Sequence, residues 1–340
     1  MSATNLELSI ITSFEVNIEN EGGITVPAKA LLNFIQYNRD EEVVLETSEG
    51  TQLKIHSKQA KAVISGEVVS GYPVIPSAVK ETSLKLSTEP FIKALNLVVF
   101  ACAKTTSRPV ISGVYMRIEK GVMTLVGTDS YRLSEAKIDV GGVKTDISCI
   151  IPARFLEELK MVMGGRRTDD EKKSAKQDVA TTQTIDVHLS SQQIEAQVGP
   201  TKLLSRLIDG RFPDYQQVLP KERNTTVSVL TKDLLSAVKR MHYFAKEVNN
   251  NITFSVVGTS LHLFTKQTQI GKDESTITVS VDGKDNKIAI SSTYLIDFLS
   301  RIDVDTLIME LSDKMHPAVF KLPGNMQYLH LIMPLRMLED

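Results

Sequence analysis

The chain has 340 residues, of which 42% are apolar, with no Trp, two Cys and a formal charge of −2. That length exceeds one ordinary domain, and three is the natural division; a near-neutral total is silent about nucleic acid, because a field depends on where the charges lie. No apolar run reaches the roughly 20 residues of a membrane helix, the opening MSATNLELSI lacks a secretory layout, and Cys102 and Cys149 lie in apolar segments without metal-ligand spacing, as in a reducing cytoplasm.

In chain order, residues 24–35 (ITVPAKALLNFI) predict a short strand, then Pro27 in the first turn of a helix with an apolar stripe at Ala30, Leu31 and Phe34. Proline suits that turn because its missing N–H would have no helical partner there. VVLET, QLKIH and AVISGEV follow, alternating as antiparallel strands do when one face is on a core. Residues 77–90 lead into a second unit. It opens with a helix at Glu89–Ala103 behind a Ser or Thr cap, followed by strands at Val110–Ile118 and Met123–Val126. At 149–161 (CIIPARFLEELKM) the earlier pattern returns, with Pro152, Phe155, Leu156 and Leu159 in the matching places. Residues 164–183 are charged and free of large apolar groups, which predicts a surface loop. IDVHL, QIEAQV and LLSRLIDG come next.

The third unit opens with VLTKDLLSAVKRMHYFA, capped by Thr231, and has strands at Ile252–Val256 and Leu261–Phe264 around Gly258. IAISSTYLIDFL (288–299) repeats the pattern again through Ser291, Tyr294, Leu295 and Phe298, before LIMEL, AVFKL and YLHLIMP. One helix-and-strand phrase written three times is an internal repeat. The expected fold is α+β, with three alike domains of two helices on antiparallel sheet, at 1–82, 83–217 and 218–340. Residues 3–9 (ATNLELS) match 127–134 (GTDSYRLS), a point that a helix and a strand pair precede in the second unit. The first domain is therefore expected to be short of roughly 40 residues at its front, relative to an intact repeat.

Catalytic readings can be built on Asp129 with His188, or on Asp209 with Asp214. No nucleophile elbow, HExxH or phosphate-cradling GxxxxGK[ST] accompanies them, and the six histidines are scattered. Asp129 is expected to hydrogen-bond its own turn. A multidomain β-rich binding module is the other bland alternative.

Four motifs, SRPVISGV (107–114), GTDSYRLS (127–134), DGRFPDYQQVLPK (209–221) and LIMPLRM (331–337), stand in the order and spacing of one family. The chain resembles the beta subunits of bacterial DNA polymerase III, the sliding clamps. The resemblance implies a non-catalytic, cofactor-free cytoplasmic protein whose two copies close head to tail around duplex DNA. It also implies docking of the replicative polymerase, the clamp loader and repair polymerases through short peptides. The matching peptide-site positions are Ile111, Thr128, Ser130, Tyr131, Arg132, Leu133, Pro213, Val218, Tyr294, Met315, Pro317, Leu331, Met333, Pro334, Leu335 and Arg336. Gln217 departs from the Arg of many relatives, and Met337–Asp340 alter the usual ending. The implied DNA-facing cations are Lys29, Lys93, Lys104, Arg108, Arg154, Lys160, Lys239, Arg240 and Lys246, which would see phosphates without reading bases. On charge pattern alone these are equally ordinary solvated helix faces. The implied dimer contact is Ala62 and Ile64 against Tyr243 and Phe244.

Overall fold

A computed structural model describes residues 1–48, 51–75, 81–105, 107–141, 146–164 and 184–337. The surface loop expected at 164–183 therefore lies, past Gly164, outside the described residues. The first segment contains strands β1 (Ser2–Thr4) and β2 (Leu8–Thr12), helix α1 (Ala28–Tyr37), and strands β3 (Val43–Ser48), β4 (Gln52–Ser57) and β5 (Lys61–Ser65). The second runs β6 (Thr82–Ser87), α2 (Thr88–Val98), β7 (Gly113–Glu119), β8 (Val122–Thr128), β9 (Arg132–Asp139) and β10 (Ile147–Pro152). It continues with α3 (Ala153–Gly164), β11 (Thr184–Leu189), β12 (Gln193–Val198) and β13 (Thr201–Arg206). The third begins with β14 (Thr225–Leu230), α4 (Thr231–Ala245), β15 (Asn251–Val257), β16 (Ser260–Phe264), β17 (Glu274–Thr278) and β18 (Ser280–Gly283). It ends with β19 (Asn286–Ser291), α5 (Ser292–Leu299), β20 (Thr306–Leu311), β21 (Ala318–Leu322) and β22 (Asn325–Ile332).

The repeated phrase folds as its periodicity requires, with small shifts at the helix starts. Pro27 is the residue before α1, and Pro152 closes β10 just before α3, so each proline stands outside the helix it introduces. Thr231 is the first residue of α4 and not its cap; Leu230 holds the cap position, and the buried Thr231 hydroxyl has no hydrogen-bond partner. Gly258 turns between β15 and β16 at φ +57°, a conformation that costs a side chain and suits glycine.

Two of the sheets cross the expected domain boundaries. One has the order β1-β2-β13-β12-β11-β6, so the first strands of the chain extend a sheet of the second segment. Another has nine strands, β10-β7-β8-β9-β22-β21-β20-β14-β18, with β22 of the third segment laddered to β9 of the second. All pairings are antiparallel, so alternate residues serve opposite faces. The helix-side face feeds one large apolar core that is continuous through the second and third segments, from Leu84 to Ile332. The sheet β3-β4-β5 stands apart with a small core of Leu53, Ile55 and Ile64, on which Leu31 and Phe34 of α1 pack. Leu32, Ile35 and Tyr37 on the same helix remain exposed.

Candidate functional site

The nine-stranded sheet carries a second apolar cluster on the face away from the helices. Val126 and Leu133 from the β8–β9 hairpin meet Val319 and Leu331 from β21 and β22, together with Ile111 and Ile150. Residues 207–219 cross this face as a strap. Ile208 N–H donates to the Ile150 carbonyl at 2.9 Å, Phe212 stacks on Tyr115 at 5.1 Å, and the Tyr215 hydroxyl donates to the buried Glu135 carboxylate. Burial, and next that hydrogen bond, push the Tyr215 phenol above its ordinary range, so it stays a donor. The motif DGRFPDYQQVLPK is thus a cover over an apolar floor, held at its start and middle through Ile208, Phe212 and Tyr215.

The sixteen residues proposed from sequence fall around this floor in three ways. Ile111, Leu133 and Leu331 are buried in it, and Met333 packs against it half-buried. Pro213 and Val218 stand exposed along the strap, and Tyr131 and Met315 are exposed by 59% and 74% at two turns. Pro317 is buried beside the Met315 turn, whose backbone is held by the Asp313 carboxylate. Pro334 is half-buried, while Leu335 and Arg336 are tied by their backbones to Ala289 and Asn251 of the third segment. The β8–β9 turn is built by its own side chains. Asp129 accepts from the Tyr131 and Arg132 amides at 2.9 and 3.0 Å, and Thr128 donates to the Arg132 carbonyl at 2.7 Å. Ser130 takes φ 79° there, a left-handed conformation costly for a side chain. The Tyr131 carbonyl then accepts the Met333 amide at 2.8 Å and its ring stacks on Tyr294 at 6.3 Å, which ties the β8–β9 turn to the third segment beside this floor.

Arg132, expected at the peptide site, is 4% exposed and lies against the Tyr294 ring. Arg108, expected to face DNA, donates to Ser130 Oγ at 3.1 Å and so stands beside the β8–β9 turn. Residues that sequence reasoning missed are Phe100 and Asp297, both partners of Arg132; neither lies in the four family motifs. The other edge of the strap borders a polar groove of about 1250 Å3, lined by Arg117, Lys137, Arg206 and Arg211 among others.

Lys29, Lys93, Arg154 and Lys239 on the helices are exposed, as are Lys104 beyond α2 and Lys246 just past the end of α4. Lys93 is paired with Glu89 at 2.6 Å. Arg240 is forked onto Asp273 at 2.9 and 3.1 Å, so its charge is already matched within its own segment. Lys160 is half-buried and donates to Asn96 at 3.2 Å. Burial, and then the nearby Arg301, lower its pKa despite the opposing Glu157.

Of the expected dimer residues, Tyr243 is 65% exposed, whereas Phe244 is half-buried and lies against the Gly271 turn. Ile64 is turned into the small core at 9% exposure; the outward residue of β5 is Val63, at 61%. Strand alternation is the cause, since Ala62 and Ile64 share the inner face. The catalytic alternative of Asp129 with His188 is not assembled: His188 is occupied with Ser83 at 2.8 Å on a neighbouring strand of the six-stranded sheet, whereas the Asp129 turn belongs to the nine-stranded one.

Comparison with known proteins gives the family and the fold. Residues 85–214 match the family model for the DNA polymerase III beta subunit, central domain, and residues 216–336 match that for its C-terminal domain. A beta sliding clamp of Staphylococcus aureus is 27% identical over 323 residues, covering 94% of this chain and 82% of the relative. One from Synechococcus elongatus is 26% identical over 343 residues, covering 99% and 88%. The sliding clamp of Bartonella birtlesii, solved bound to griselimycin, superposes with a TM-score of 0.87 at 26% identity, over 99% of this chain and 88% of that one. The Thermotoga maritima beta subunit also gives 0.87, at 22% identity with the same coverage, and bears on fold alone. The chain belongs to the DNA polymerase III beta subunit family, and is a sliding clamp and not an enzyme.

Proposed function

We propose that two copies of this cytoplasmic chain close head to tail around duplex DNA and hold the replicative polymerase, the clamp loader and repair polymerases through short peptides in the cleft at the junction of the second and third domains. The division into domains at 1–82, 83–217 and 218–340 is part of this reading. The observation that carries it is the apolar floor of Ile111, Leu133 and Leu331 under the strap, open to solvent through Met333, Val218 and Tyr131. A flexible methionine over an apolar floor suits several related ligands. The griselimycin-bound relative supports a ligand at such a cleft. Lys29, Lys104, Arg154, Lys160, Lys239 and Lys246 are proposed to face the DNA phosphates, with Lys93 and Arg240 weakened by Glu89 and Asp273. Contacts of that kind carry no sequence information and permit sliding, while topology supplies residence. A bound polymerase is then kept at high effective concentration near the primer end.

The test is topological. Loaded on nicked circular DNA by an ATP-driven loader, the protein should remain through gel filtration and leave when the circle is cut once. Equal retention on circular and linear DNA would refute encirclement.

A further inference from the structure

Arg132 spends its guanidinium across the junction. Nε donates to Asp129 at 3.2 Å within its own turn, one Nη to Asp297 of α5 at 2.8 Å, and the other to the Phe100 carbonyl beyond α2 at 3.1 Å. Its faces are covered by Tyr294, with 4.7 Å from the guanidinium carbon to the ring centroid, and by Phe100, at 5.3 Å. Arg301 packs on the same Phe100 ring at 4.6 Å and donates to the Asp297 carbonyl at 2.6 Å. Charged hydrogen bonds of this geometry are the strong and directional ones, and a planar fork locks orientation as a flexible ammonium cannot.

We infer that Arg132 is a positioning residue that sets the width of the cleft without touching what binds there, by fixing the Tyr131 wall of one domain against the Tyr294 wall of the next. Tyr131 is its chain neighbour and Tyr294 lies on its face, so loss of the fork frees both walls together. The inference rests on the cleft reading above, whose own test is separate.

The experiment titrates griselimycin by calorimetry into the full-length chain and into Arg132→Lys, Asp297→Asn, the double variant and Met333→Ala. Titrations are run at a temperature where all are folded, with amide exchange measured on the free proteins. Arg132→Lys and Asp297→Asn should each weaken binding at least tenfold. Their combination should be little worse than either alone, and exchange should quicken at 129–133 and 292–297. Additive losses, no loss in either variant, or a loss confined to Arg132→Lys with unaltered exchange would overturn the inference; the last would place Arg132 on the ligand. Should Arg132→Lys fail to fold, Asp297→Asn alone still decides: unchanged binding with unaltered exchange at 129–133 and 292–297 overturns the inference. Unchanged binding in Met333→Ala would instead refute the cleft itself.

Discussion

His330 lies at the centre of the seam between the second and third segments, fully buried, stacked on Phe298 at 4.4 Å and joined through Nδ1 to Ser134 at 2.7 Å. Its Nε2 has no partner. Burial, and secondarily the charge of Arg132, hold its pKa well below the ordinary 6.5. The unfolded chain therefore takes up a proton that the folded one refuses. The stabilising difference is complete above pH 6.5 and is lost as pH falls beneath it. Replacing His330 with Phe should flatten the fall in melting temperature between pH 6.5 and 5, and an unchanged acid limb would discount the role. Met333 and Leu331 separate in the same way. Met333→Ala should weaken griselimycin roughly tenfold with little loss of stability. Leu331→Ala should cost about 2–4 kcal/mol by denaturation as well, because it empties part of a packed floor. Side chains such as Leu331 were legible as strand residues and became cleft residues through the family motifs. The partners of Arg132 across the junction were not legible, because in sequence an arginine beside an exposed tyrosine looks the same whether it meets a ligand or a neighbouring domain.

At the scale of elements, β5 is an edge strand that among the described residues pairs with β4 alone, and its outward apolar side chain is Val63. An open ladder with an exposed apolar residue is a site for pairing with another chain. The proposed ring contact is therefore the β5 edge with Val63 against Tyr243 of α4. Val63→Glu or Tyr243→Glu should shift the protein to monomers in sedimentation velocity, while Ile64→Ala should chiefly destabilise the first domain. Dimers persisting in both charged variants would count against the contact. The strands themselves were legible, because alternation of period two and turn glycines mark faces and ends. Which strands pair across domains was not. Periodicity states which face of Leu8–Thr12 or Asn325–Ile332 is buried, and says nothing of the neighbour that buries it.

Across the whole molecule, the cores are unequal. The second and third segments share one continuous core, whereas the first rests on Leu53, Ile55 and Ile64 with a few half-buried neighbours. Local stability follows buried apolar contact. Strands β3–β5 should exchange their amides ahead of β7–β9 and β20–β22, and Ile55→Ala should widen that gap; uniform protection would contradict it. The threefold repeat was legible in the sequence, but this imbalance was not, since similar phrases give no measure of how much surface each finally encloses.

The two ladders that cross domain boundaries, β2 to β13 and β9 to β22, make each chain mechanically a single stiff body. Flexing it at either crossing would tear several backbone hydrogen bonds at once. In the proposed ring, a loader that must admit a DNA strand would meet less resistance at the joint between two copies, which neither of these ladders spans. Wear, regulation and inhibition by small molecules should gather at that joint, and each chain should pass through many rounds of loading unbent.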